Sequence, residues 1–189
     1  TLFRSILNLD TISKEKDLKI YDYLLYFFIY SFLGWILETT FSYFVLGHFV
    51  NRGFLTGPLC PIYGFGMLII IVPLSKYKDN NIKLFVVSAI VLSVFEYLTS
   101  YVLDATFGLK WWDYTNDFFN INGRIAAFYT LTWGFITLFA TNFIHPIIQK
   151  FSNFIKEKVP SLAFNIILKI LTIILLIDFV LSVLDYILK

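Results

Sequence analysis

The sequence is poor in charge. Asp, Glu, Lys and Arg make up 15% of its 189 residues, and the net charge is +2. A soluble domain carries about 25% charged residues. So little charge, so evenly balanced, excludes a disordered chain and gives no basic footprint for nucleic acid. Cysteine is almost absent: Cys60 stands alone, so no intramolecular disulfide can form. The sequence has no phosphate-binding G-x-x-x-x-G-K-[ST] loop, no G-x-S-x-G, no H-E-x-x-H and no dinucleotide fingerprint. His48 and His145 fall at opposite ends of the predicted spans and cannot share a metal, so no metal and no cofactor is expected.

What is present is apolar. The chain is 58% hydrophobic and 20% aromatic, with a mean hydropathy of +0.75. A spanning helix takes roughly 20 mostly apolar residues. The fold class read from this pattern is an all-α integral membrane protein, a bundle of about five transmembrane helices. Spans are predicted near residues 21–47, 57–75, 82–107, 125–148 and 162–188. Residues 1–20 read as a polar, interfacial lead-in without the features of a signal peptide. Residues 21–189 read as one transmembrane domain.

Positive charge orients such a bundle. With five spans, Arg4, Lys14, Lys16, Lys19, Lys76, Lys78, Lys83, Lys150, Lys156 and Lys158 share one side. Arg52, Lys110, Arg124 and Lys189 share the other. The bias predicts a cytoplasmic N-terminus and an outside C-terminus in a multi-pass plasma-membrane protein. The two long outer loops are the polar ones. Trp111, Trp112 and Tyr114 suit the headgroup level, which does not account for Arg52, Asp113 or Arg124.

A short internal repeat is visible. The first and third spans each carry one glutamate, Glu38 and Glu96. Each is followed by an outer loop holding Asn, Arg and Gly: Asn51-Arg52-Gly53, then Asn122-Gly123-Arg124. Each loop leads to an aromatic-Gly-Phe step, Tyr63-Gly64-Phe65 and Trp133-Gly134-Phe135. This suggests two parallel helix-pair repeats plus one helix, an arrangement found in transporters.

A carboxylate within a span is costly and faces protein or water by default. Ser31, Gly34 and Ser42 share a helical face with Glu38; Ser93, Ser100 and Asp104 share one with Glu96. Pro58 and Pro61, with Gly57, make the entry to the second span irregular, and irregular backbone at depth belongs where it lines a cavity or is buried in protein. The expectation is an outward-facing polar cavity, cationic at its mouth and acidic at its floor. Its candidate ligand-binding residues are Glu38, Arg52, Glu96, Trp112, Asp113, Tyr114, Asn122 and Arg124. The bland alternative is that Glu–Arg pairs only lock the bundle.

The stretches Gly34-Trp35-Ile36-Leu37-Glu38, Asn51-Arg52-Gly53-Phe54-Leu55 and Gly57-Pro58-Leu59-Cys60-Pro61-Ile62-Tyr63-Gly64 resemble a known family. So do Glu96-Tyr97, Trp111-Trp112-Asp113-Tyr114, Asn122-Gly123-Arg124 and Trp133-Gly134. The family is the putative ABC-transporter type IV, or CmpB-like, membrane proteins. The resemblance covers roughly residues 25–145 and leaves the fifth span outside. It implies a transporter permease component that takes a small polar or anionic ligand, with an ATP-binding subunit or a homo-oligomer as partner and lipids around it. Two alternatives stay open: a non-catalytic lipid- or partner-binding subunit, and a membrane-embedded enzyme acting on a lipid or lipid-linked substrate at the outer leaflet.

Overall fold

The computed structural model describes residues 20–188; the predicted interfacial lead-in lies almost wholly outside them. The described residues form helices and loops. Helix α1 is Ile20–Leu46, α2 Pro61–Ile71 and α3 Asn81–Phe107, with a single 3-10 turn at Ser75–Tyr77 before α3. Helix α4, Ala127–Phe139, continues through a π turn at Ala140–Ile144 into α5, His145–Lys158, and α6 is Ser161–Leu188. The chain divides into two compact units. Among the described residues, one combines 20–68 with Phe143–Leu188; the other is Ile69–Asn142.

Among the described residues, four helices are long and apolar enough to cross a membrane: Ile20–Leu46, Asn81–Phe107, Ala127–Lys158 and Ser161–Leu188. At 1.5 Å per residue the 27 residues of α1 reach about 40 Å, beyond the roughly 30 Å of a hydrocarbon core. Burial runs opposite to that of a soluble helix. On α3 the buried residues include Ser88, Ser93, Glu96 and Ser100, while Ile82, Ile90, Val94 and Leu98 are exposed. Small and polar side chains turned inward, with aliphatic ones turned outward, are what a lipid solvent selects. The chain is a multi-pass helical membrane protein.

Local chemistry sets the helix ends. Asn80 caps α3 by accepting the Lys83 amide at 2.9 Å, and Gly108 ends it in the left-handed region at φ 65°. Pro146 has no N–H to give and its ring crowds the preceding turn. The π turn at Ala140–Ile144 absorbs that misfit immediately upstream. His145 is accordingly buried mid-helix (3% exposed) and not at a helix end, where its place before Pro146 had put it.

Two predicted spans differ. The fourth runs on through the π turn to Lys158, beyond its predicted end at 148. The second is shorter: its helix is only the 11 residues of α2, about 16 Å. A helix begun at Gly57 would need Pro61 to donate to the Gly57 carbonyl, but Pro61 has no N–H and its ring would crowd that carbonyl. In the first unit α2 packs on α1, where Gly64 meets Phe27 and Ser31. The same unit has an apolar cluster of Phe27, Phe28, Phe164 and Leu168, with Leu59, Leu68, Ile155 and Val159 against it.

Candidate functional site

In the first unit the chain after α1 turns back along the helix it has left. The Trp35 indole donates to Asn51 Oδ1 at 2.6 Å. Trp35 lies eleven residues before the end of α1, about 16 Å down the helix. Asn51 in turn donates to the Thr56 carbonyl at 2.7 Å. The Cys60 amide reaches the Ser31 carbonyl at 2.9 Å, fifteen residues, or about 22 Å, below the helix end. Helix α2 therefore starts near mid-height of α1, and residues 48–60 cover the other half as irregular chain. The predicted second span is thus a half-helix joined to a folded-back loop.

Glu38 sits beside this loop. The Tyr63 hydroxyl donates to Glu38 Oε1 at 2.5 Å. Arg52 Nε lies 3.9 Å from Oε2, with 39% of the Arg52 and 31% of the Glu38 side chain exposed. That is an ion pair too long for a direct hydrogen bond. Helix α6 holds the loop from another side. Asp178 accepts the Thr56 amide at 3.1 Å and the Gly57 amide at 2.9 Å, and Ser182 also accepts from Thr56 at 3.1 Å. A Cβ at position 57 would come within 2.8 Å of Asp178 Oδ2, so a larger residue there would have to push the carboxylate aside.

The second unit carries its own carboxylate. Glu96 is 5% exposed. Trp133 donates to Oε2 at 2.8 Å and Tyr114 to Oε1 at 3.1 Å. The Tyr114 ring stacks on Tyr129, centroids 3.9 Å apart. Both oxygens thus take neutral donors, and among the described residues Glu96 makes no ion pair. Arg124 goes instead to Asp104 at 2.7 Å and Ser100 at 3.2 Å, its guanidinium over the Tyr97 and Tyr101 rings. Trp112 donates to the Arg124 carbonyl at 3.0 Å, and Asn122 to the Tyr97 hydroxyl at 2.8 Å.

Of the candidates read from sequence, the structure joins Glu38 with Arg52 in one unit; in the other it joins Glu96 with Tyr114 and, in a separate set of contacts, Arg124 with Trp112 and, through Tyr97, with Asn122. Asp113 is in neither set. It is exposed, accepts from the Thr115 hydroxyl and amide and lies 3.9 Å from Lys110. Those hydrogen bonds, chiefly the hydroxyl's, hold its carboxyl below the usual range, and Lys110 adds a smaller pull. Sequence reasoning missed Tyr63 and Trp133 as the donors, although both stood in the aromatic-Gly-Phe step. Asp178, which grips the Thr56 and Gly57 amides, was not among those candidates.

The repeat has a structural counterpart inside each unit. Phe27 lies eleven positions before Glu38, and Phe85 eleven before Glu96. A Cβ on Gly64 would fall 2.7 Å from the Phe27 ring, and one on Gly134 2.7 Å from the Phe85 ring. Phe65 meets Phe27 edge-on at 4.9 Å, and Phe135 meets Phe85 at the same distance. In both, the residue before the glycine donates to the glutamate. The two units contain the same clamp, built once with tyrosine and once with tryptophan.

Polar-in, apolar-out helices and two carboxylates clamped at depth define a polytopic membrane protein with polar machinery inside its spans. Residues 25–183 match the family described as "Putative ABC-transporter type IV". The chain belongs to this family, and the match takes in most of α6 together with Asp178 and Ser182. No curated protein and no solved structure matches it.

Proposed function

We propose that the chain is the membrane-spanning permease component of a transporter, working with an ATP-binding subunit and taking a small polar or anionic ligand from an outward-facing cavity. One observation carries the reading. The second crossing is broken at mid-height of α1, where Cys60 binds Ser31, and its half-helix starts beside Glu38 and Arg52. Discontinuous helices whose N-terminal dipoles face a polar substrate recur in transporters. Arg52, with two-fifths of its side chain exposed, offers a guanidinium to a carboxylate or phosphate. Glu38 offers a carboxylate to a cationic group on the same molecule. In the second unit Glu96, held by Tyr114 and Trp133, is the more enclosed copy, with Trp112, Asn122 and Arg124 as further candidate ligand contacts. The Lys/Arg distribution supports a cytoplasmic N-terminus, and with the broken second crossing counted the C-terminus falls outside, in the bacterial inner membrane.

Native mass spectrometry of the protein released gently from its own membrane tests this. Co-purification of an ATP-binding chain is the expected result. A bare chain or homo-oligomer holding a lipid would overturn the ATP-driven reading in favour of a lipid-binding subunit.

A further inference from the structure

Away from the carboxylate clamps, the first unit holds a second run of buried polar groups, along the seam where α5 packs on α1. From α5 it takes His145, Gln149, Ser152 and Lys156, spaced four, three and four apart and so on one face. From α1 it takes Tyr30, Tyr26 and Asp22, spaced four apart. Two contacts fix the register. At one end Tyr30 Oη lies 3.0 Å from His145 Nδ1, with the Tyr26 ring edge-on to the imidazole at 5.1 Å. At the other Lys156 donates to Asp22 at 2.8 Å. Gln149 and Ser152 therefore lie between the two ends. The gap is about 12–16 Å along the helices.

Gln149 is 5% exposed and Ser152 fully buried, and Gln149 Oε1 and Ser152 Oγ have no partner among the described residues. Some helical hydroxyls fold back onto their own helix, as Thr99 does to Phe95 and Thr172 to Leu168; Ser152 does not, nor do the buried Ser31, Thr39 and Thr137. What sets Gln149 and Ser152 apart is that they are neighbours on one face, between two polar ends. A buried polar atom without a partner costs about 1–3 kcal/mol, and polar seams of this kind are where proteins hold internal water. The lysine end opens to solvent, with a third of the Lys156 side chain exposed; Asp22 is nearly covered.

We propose that the α1–α5 seam holds a file of waters that carries protons between the Asp22–Lys156 end and His145. Gln149 and Ser152 anchor the waters as acceptors. A hydronium at the open end passes a proton to the first water, and each O–H bond that forms is matched by one that breaks. The last water delivers its proton to an imidazole nitrogen of His145, and neutral water is left at the entrance. Facing His145 from α1 are Tyr26 and Tyr30, with Asp22 and Lys156 at the far end. Helix α6 contributes apolar Phe164 and Leu168 to this unit's core, and its Lys169 lines a surface cleft with Ile20, Tyr21 and Leu24 instead. The inference stands apart from the permease reading, since it uses none of the clamp residues.

The test follows His145 by nitrogen-15 NMR in sealed phosphatidylcholine–phosphatidylglycerol vesicles, with the two baths set to different pH. The expected result is that His145 titrates with the bath on the Lys156 side. Gln149→Leu and Ser152→Ala should slow its response at least tenfold and should not raise the melting temperature. A His145 that ignores that bath between pH 5 and 8, or follows the opposite one, overturns the proposal. So do apolar variants that melt higher with the response unchanged, because dry, unpaired groups gain from being replaced.

Discussion

Trp133 donates its indole N–H to Glu96 Oε2 at 2.8 Å, from the position before Gly134 that Tyr63 occupies before Gly64 when it donates to Glu38. A tyrosine and a tryptophan do the same task on two helix pairs. Their surroundings differ. Glu96 is buried with neutral donors, whereas Glu38 is about a third exposed and has Arg52 beside it. A carboxylate that water cannot reach depends more heavily on the donors it has.

Trp133→Phe should therefore cost more than Tyr63→Phe. Removing the indole N–H strands a buried carboxylate oxygen, worth about 1–3 kcal/mol, while water or Arg52 can replace the phenol at Glu38 for about 1 kcal/mol or less. Denaturant unfolding in mixed micelles measures both. Equal losses would mean that the two carboxylates are equally wet.

The glycines of the two clamps should also separate. Gly64→Ala puts a Cβ 2.8 Å from the backbone oxygen of Phe27, which cannot move aside, whereas Gly134→Ala meets only the Phe85 ring. Overpacking costs about 1–3 kcal/mol, with Gly64→Ala at the top of that range. Phe85→Leu should recover much of the Gly134→Ala loss. Phe27→Leu should recover little of the Gly64→Ala loss, because the obstruction is main chain. Four melting curves decide it.

Much of this was readable in the sequence, and the limits have physical causes. Helices α1, α3 and α6 fall within a residue or two of their predicted spans because twenty-odd apolar residues have few alternatives in a membrane. The second span was drawn too long, since hydropathy cannot distinguish a helix from irregular chain that is equally apolar. Pro58 and Pro61 held that information. Glu38, Arg52, Glu96 and Arg124 stood out as charges in apolar surroundings. Which cation meets which anion was not legible. Arg124 lies closer in sequence to Asp104 than to Glu96, and the choice between them depends on how the loop before α4 closes. Tyr63 and Trp133 were hidden by the many other aromatic residues.

Arg124 and Asp104 should be strongly coupled in a double-mutant cycle. Their contact is 2.7 Å, and the arginine side chain is only 12% exposed. Arg124→Ala and Asp104→Ala should show a coupling of about 1–2 kcal/mol, above the range of surface pairs. Arg124→Lys should rescue poorly. Two guanidinium nitrogens serve Ser100 and Asp104 separately, a fork that one ammonium cannot reproduce. Full rescue by lysine would make the pair one of charge alone.

The Asp113 turn gives a pH prediction. Its carboxyl is held below the ordinary value, chiefly by the Thr115 hydroxyl. A folded-state value below the unfolded one adds stability above the unfolded value, and that contribution fades as pH falls through the folded one. The turn should thus stay formed through the range where free aspartates protonate, about pH 4, and open only below it. Carbon-13 NMR of the Asp113 carboxyl follows this directly. Thr115→Val should move the midpoint up towards the ordinary value.

Asp178 should prove to be what keeps the folded-back loop at depth. It accepts amides from both Thr56 and Gly57, but Thr56 has a second acceptor in Ser182, and Gly57 has no other among the described residues. Asp178→Ala should leave the Gly57 amide unpaired and Thr56 partly served. An unpaired donor costs about 1–3 kcal/mol, and each 1.4 kcal/mol is about tenfold in an equilibrium. Hydrogen exchange at Gly57 should therefore rise about tenfold or more, with a smaller change at Thr56. Ser182→Ala should affect Thr56 alone. Asp178→Asn keeps one acceptor oxygen and should fall between. If both amides already exchange freely in the wild type, Asp178 does not hold the loop, and the broken second crossing must owe its position to Trp35 and Ser31 on α1.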